Sequence, residues 1–106
     1  MLRRKADFDA IGRHGTVRSS RLLVLRSLET KGQGTRIGLS TPRTLGGAVQ
    51  RNRVRRRLRD LLRAQLDAKG SGWDLLLFAR PDAGSVTYTE LREALRSLLE
   101  RSGISG

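Results

Sequence analysis

Gly46-Gly47-Ala48-Val49-Gln50-Arg51-Asn52-Arg53-Val54-Arg55-Arg56-Arg57-Leu58-Arg59-Asp60 is the stretch whose pattern decides the fold. From about Ala48 the apolar residues recur at helical spacing, and the segment runs to about Ala68 before Gly70 ends it. At about 100° per residue, Val54, Leu58, Leu61, Leu62 and Leu66 share one arc, which predicts the face turned to the core. Asn52, Arg56, Arg59 and Arg63 lie near the centre of the opposite face, directed at solvent or a partner. Continued to Arg63, the segment holds seven arginines against the single acid Asp60. Like charges so close repel one another along a helix. An arginine-rich face is often no more than solvated surface, but this one begins after two glycines. The unpaired N–H groups of a helix start add a second device for binding anions.

Working outward, Leu22 to Leu28 reads as a strand, and Arg36-Ile37-Gly38-Leu39-Ser40 alternates with a period of two, burying Ile37 and Leu39. Lys31-Gly32-Gln33-Gly34 turns the chain between them, so the two strands are expected to form a hairpin. Upstream, about Arg4 to Arg13 suits a short helix with Phe8 and Ile11 on one side. Downstream, Trp73-Asp74-Leu75-Leu76-Leu77-Phe78-Ala79 is apolar on both alternating sets except at Asp74, as a central strand covered on both faces would be. Thr87 and Glu90 form a capping box ahead of Tyr88, Leu91, Leu95, Leu98 and Leu99, which predicts a final amphipathic helix. The order α-β-β-α-β-α is that of an α+β domain.

The chain has 106 residues, which fits a single domain over 1–106, with about three residues at the start and four at the end expected to be flexible. Its 22 Lys plus Arg against 10 Asp plus Glu give a formal charge of +12, which favours a polyanionic partner. Nearly all of that charge is arginine, able to fork onto phosphate oxygens and stack on bases, although a GC-rich genome also raises arginine over lysine. The absence of cysteine excludes disulfides, thiolate metal sites and a Cys nucleophile. His14 is the only histidine and reads as a turn residue, which leaves little basis for a zinc site or a Ser-His-Asp triad. No signal peptide and no apolar run of membrane-spanning length is visible, so a cytoplasmic protein without a membrane partner is expected.

Gly46 to Asp60 resembles the Arg-Asn-Arg signature of the ribonuclease P protein family, which runs Gly-Asn-Ala-Val, a variable residue, Arg-Asn-Arg, another variable residue, then Lys or Arg and a trailing Arg-acidic pair. Arg36 to Ser40 is similar to the family strand before the signature, Asp7-Phe8 to its N-terminal helix, and Asp74 to Pro81 to its later strand, so the resemblance spans about residues 3 to 102. It implies a small α/β sandwich similar to the second domain of ribosomal protein S5, with a left-handed βαβ crossover and a fourth strand, which is expected near Ser40 to Leu45. It also implies an endoribonuclease in which a catalytic RNA, with bound Mg²⁺, hydrolyses precursor tRNA, while the protein carries no catalytic residue and no cofactor of its own. The protein partners are then that RNA and the precursor tRNA, in a 1:1 particle. Arg51, Asn52, Arg53, Arg56 and Arg57 are the signature positions for contact with the catalytic RNA, and Arg55, Arg59 and Arg43 are expected to join them. Phe8, Arg13, Arg26 and Arg36 are expected in a cleft for the single-stranded 5′ leader. Pro42, Arg43 and Thr44 stand where the family usually has Ser-Lys-Lys, and Gly47 replaces an Asn. Gly12 and Arg26 replace residues that are often aromatic, which suggests less stacking and more phosphate or cation-π contact. A ribosomal or other structural RNA-binding protein, an arginine-rich DNA-binding helix and a protein-only nuclease are the competing readings.

Overall fold

The computed structural model describes residues 11–12, 14–30, 35–66 and 72–104. Four strands, β1 (Thr16–Ser19), β2 (Leu23–Glu29), β3 (Arg36–Ser40) and β4 (Trp73–Ala79), form one sheet in the order β1-β2-β4-β3. Two long helices, α1 (Ala48–Leu66) and α2 (Tyr88–Arg101), follow β3 and β4, each preceded by a short 3-10 turn, Arg43–Leu45 and Pro81–Ser85. The expected helix over about Arg4 to Arg13 lies outside the described residues except for its end, where Ile11 and Gly12 are helical and Ile11 is buried apart from the main core.

β4 is the axis of the sheet. It runs antiparallel to β2, with Leu25 opposite Leu77 and Ser27 opposite Leu75, and parallel to β3, with Ile37 opposite Leu75 and Leu39 opposite Leu77. The expected hairpin of β2 and β3 is therefore wrong. A strand as apolar as β4 gains most with a neighbour on each side, so it inserts between β2 and β3, and β3 is joined to it through α1 in a βαβ unit. The fourth strand is also elsewhere than expected: Arg43–Leu45 is a 3-10 turn after Pro42, and the strand is β1, which pairs with β2 from Thr16 opposite Ser27 to Ser19 opposite Val24. β1 is exposed at all four residues, so no alternation of apolar and polar residues marked it.

Alternation divides the sheet into two unlike faces. Leu23, Leu25, Leu75, Leu77 and Ala79 join Val54, Leu58, Leu61 and Leu62 of α1 and Leu91, Leu95, Leu98 and Leu99 of α2 in one buried cluster. The other face carries Val24, Arg26 and Leu28 of β2, Asp74, Leu76 and Phe78 of β4, and Arg36, Gly38 and Ser40 of β3. Leu76 and Phe78 are only partly covered, so β4 is not closed equally on both faces as its apolar run suggested. The predicted capping box starts α2: Glu90 N–H donates to Thr87 Oγ1 at 3.1 Å, and Thr87 N–H donates to Glu90 Oε1 at 3.4 Å. Tyr88, in helical register with the core leucines, stays exposed because it occupies the first helical position, beyond the edge of the packed layer.

Two glycines set close approaches on which the site depends. A Cβ on Gly15 would collide with Ile11 O and lie 2.9 Å from Ser27 O, so only glycine lets the N-terminal helix end against β2. A Cβ on Gly84 would meet the end of the Gln50 side chain and lie 3.2 Å from Leu45 O, so glycine leaves room for the Gln50 amide to close on the Pro81–Ser85 turn.

Candidate nucleic-acid interface

The arginines of α1 separate into two groups by what they touch. On the flank toward the Pro81–Ser85 turn, Arg53 Nη2 and Gln50 Nε2 donate to Gly84 O at 3.2 and 3.0 Å, and Arg57 Nη1 donates to Val86 O at 3.3 Å. These side chains fasten the helix to the loop before α2. Arg51, half-buried on α1, encloses its Nε without a hydrogen-bond partner among the described residues. On the outer face, Val49, Asn52, Arg55, Arg56 and Arg59 line one open groove, with Asn52, Arg56 and Arg59 exposed. Arg55 is steadied there by donating from Nη2 to the hydroxyl of buried Thr41 at 2.6 Å.

The groove holds three arginines and no acid, and the first turn of α1 likewise has no acidic residue to neutralise its N–H groups. Field and helix dipole thus act in the same direction, toward an anion. Of the residues singled out from the sequence, Asn52, Arg55, Arg56 and Arg59 come together in this groove. Arg53 and Arg57 lie on the flank toward the Pro81–Ser85 turn, Arg51 is half-buried elsewhere on the helix, and Arg43 is exposed on the 3-10 turn leading into it. Val49 was not anticipated as part of the surface. It is 84% exposed, and its signal in the sequence is an apolar residue lying off the core arc of α1.

Arg26 and Arg36 stand on either side of β4 on the open sheet face. Arg26 lies opposite Leu76 with its Cζ 5.8 Å from the centre of the Phe78 ring, a cation-π distance. Arg36 lies opposite Asp74 and grips it with two bonds, Nε to Oδ1 at 2.9 Å and Nη2 to Oδ2 at 2.7 Å. Asp74 is buried, and a carboxylate so placed requires a partner of this kind. The positioning role of Asp74 was missed from sequence, although a lone acid in an otherwise apolar strand marks it. Phe8 and Arg13, the other two residues expected in the leader cleft, lie outside the described residues.

Some of the remaining charge is paired. On the outer side of α2, Arg96 bonds Glu93 and Glu100, and its hydrogen bond and charge, helped by Arg92, hold the Glu93 carboxyl below the usual glutamate range. Among the described residues no group of three or more His, Asp or Glu is placed to hold a metal ion, and no helix is long and apolar enough to cross a membrane.

A model of the family described as Ribonuclease P matches residues 1–103. The ribonuclease P protein component of Clostridioides difficile strain 630 is 30% identical over 105 residues, covering 98% of this chain and 92% of the relative. That of Roseiflexus sp. strain RS-1 is 32% identical over 104 residues, covering 97% and 85%. Among solved structures, the Staphylococcus aureus RNase P protein superposes with a TM-score of 0.89 at 24% identity, covering 99% of this chain and 96% of that one. The Thermotoga maritima RNase P protein does so with a TM-score of 0.83 at 27% identity, covering 99% and 97%. In the two solved structures the fold extends over nearly the whole of this chain, and in the two relatives the sequence does so at 30% identity or more. With the family match reaching from residue 1 to residue 103, the chain belongs to the ribonuclease P protein family.

Proposed function

We propose that the chain is the RNA-binding subunit of a ribonuclease P particle, which holds the catalytic RNA along the outer face of α1 and the 5′ leader of precursor tRNA across the open face of the sheet. The observation that carries this reading is the acid-free groove of Asn52, Arg55, Arg56 and Arg59, backed by a helix fastened to the body of the domain. Asn and Arg side chains on a fixed helix face offer forked donors for phosphate and ribose, and among them Arg55 is already held by Thr41. On the sheet face, Arg26 stacked over Phe78 presents a flat cation for a base or phosphate of the leader, and Arg36 is oriented by Asp74.

Hydrolysis belongs to the RNA subunit. Mg²⁺ held by that RNA supplies nucleophile activation and charge stabilisation, while the protein contributes arginine contacts that lower the repulsion between two polyanions. The particle is 1:1 and cytoplasmic. In the deciding experiment, the chain is added to its cognate catalytic RNA at low Mg²⁺ and cleavage of precursor tRNA is followed. Cleavage restored only when both components are present is the expected result. Cleavage by rigorously RNA-free protein, or no stimulation of the RNA, would overturn the reading.

A further inference from the structure

A second basic site lies at the turn between β1 and β2, away from the groove on α1. Ser20 builds the turn: its N–H donates to Leu23 O at 2.8 Å, and its Oγ accepts from the N–H groups of Leu22 at 3.3 Å and Leu23 at 3.2 Å. Arg21 is thereby placed at the tip. Arg80 is brought alongside because its own N–H donates to Leu22 O at 2.9 Å. Ser19, Ser20, Arg21, Arg80, Pro81 and Asp82 enclose an open pocket here. Arg101, from the last turn of α2, reaches the same turn and donates from Nη1 and Nη2 to Ser19 O at 3.3 and 3.4 Å. Three arginines therefore meet at one turn against a single acid, Asp82.

Asp82 holds Arg21 weakly. The contact is a single one of 3.5 Å between side chains 64% and 57% exposed, a geometry that solvent and salt screen easily. A phosphate offers the same guanidinium a two-pronged, doubly hydrogen-bonded partner. We propose that this pocket binds a phosphate of an RNA backbone, which takes Arg21 over from Asp82. The pocket's place in the fold supports a continuous RNA path. The pairings of Ser19 with Val24, Leu23 with Ala79 and Ser40 with Phe78 set the ends of β1 and β3 and the start of β2 beside the end of β4. The Pro81–Ser85 turn spans that end of the sheet, with Asp82 toward Arg21 and Gly84 bound to Gln50 and Arg53 of α1. An RNA strand leaving the start of α1 meets this turn next.

The inference rests on the reading of the chain as an RNA-binding subunit, and the phosphate can come from the catalytic RNA or from the precursor leader. The test is the double variant Arg21→Ala, Arg80→Ala, with unchanged circular dichroism and melting as evidence of folding. It is titrated with the catalytic RNA, and the assembled particle is titrated with precursor tRNA and with mature tRNA. Losing this one phosphate site flattens the log-log salt slope by about 0.7 to 0.9, so the ratio of variant to wild-type affinity changes about 2.6- to 3.5-fold between about 50 and 200 mM salt. A change with the catalytic RNA identifies that RNA as the source, and a change confined to leader-bearing precursor identifies the leader. Asp82→Asn, which removes the competing carboxylate, should bind more tightly than wild type in the same titration. A folded double variant with unchanged slopes in every titration overturns the proposal. If an α1 variant such as Arg56→Ala, Arg59→Ala still flattens the slope, only the second site has failed; if wild-type binding to the catalytic RNA has no salt dependence, the functional reading has failed with it.

Discussion

Arg36→Ala should destabilise the fold more than Asp74→Asn, although both substitutions break the same pair. Asp74 is 4% exposed and accepts from Nε and Nη2 of Arg36 at 2.9 and 2.7 Å, whereas the Arg36 side chain is 46% exposed. Removing Arg36 leaves a buried carboxylate without its countercharge, which typically costs about 3 to 5 kcal/mol. Asp74→Asn leaves the charge on the partner that still reaches water, so the cost is closer to the ~1.5 to 3 kcal/mol of a charge-assisted hydrogen bond. For a domain near 100 residues, each kcal/mol moves the midpoint by at least about 4 °C, so Arg36→Ala should lower Tm by roughly 12 °C or more and Asp74→Asn by roughly 6 °C or more. Circular dichroism melts of the RNA-free protein at neutral pH measure both values. In the double variant Arg36→Ala, Asp74→Asn no charge is left buried, and the loss should be smaller than the sum of the singles. The reasoning is refuted if Asp74→Asn costs more than Arg36→Ala, or if the two losses simply add.

Arg56→Ala combined with Arg59→Ala should leave Tm within about 2 °C of wild type while flattening the log-log salt slope for the catalytic RNA by about 1.4 to 1.8, since both side chains are exposed. Arg53→Ala should behave differently: losing the bond to Gly84 O costs about 1 to 2 kcal/mol, read as a fall in Tm even without RNA. Gly15→Ala, forced against two carbonyl oxygens, should destabilise by about 1 to 3 kcal/mol, and a wild-type melting curve would show that the N-terminal helix does not end against β2. Because the folded-state pKa of Glu93 is depressed by Arg96, this pair stabilises the protein above the ordinary glutamate range and the contribution is lost as pH falls through the lowered value. Arg96→Gln should return the Glu93 carboxyl to the usual range in an NMR titration and remove that part of the acid dependence.

The elements that sequence made legible are those with strong local signals. The period of α1 and the Thr87–Glu90 box each fix a helix by contacts within a few residues, and the structure follows them. β4 announced its central place because no edge strand tolerates so continuous an apolar run. What failed was pairing, which is non-local. The Lys31 to Gly34 segment carries the chemistry of a tight turn, but turn residues say only that the chain bends, and the choice of neighbour for β3 depends on how much apolar surface each candidate strand buries. β1 was invisible for a related reason: Thr16–Ser19 is exposed throughout, and its pairing with β2 satisfies backbone groups without leaving a hydrophobic period.

In the candidate site, charge density singled out one helix but could not tell which of its arginines pack against the domain and which stay exposed. Arg53 and Arg56 are three residues apart and alike in sequence, but one ends on the carbonyl of Gly84 and the other on solvent. The difference depends on Gly84, thirty-odd residues downstream, whose carbonyl accepts from Gln50 and Arg53 and which has no Cβ in the way of the Gln50 amide. The same loop carries Asp82, so a single turn both immobilises the adjoining flank of the signature helix and places an acid against Arg21. Arginine count alone therefore overstates how many side chains of α1 are left exposed. Sorting by packing partner instead leaves Asn52, Arg56 and Arg59 exposed in the groove beside Arg55, which Thr41 holds, and directs attention to Arg21, Arg80 and Arg101, which the sequence leaves scattered and the fold brings to one turn.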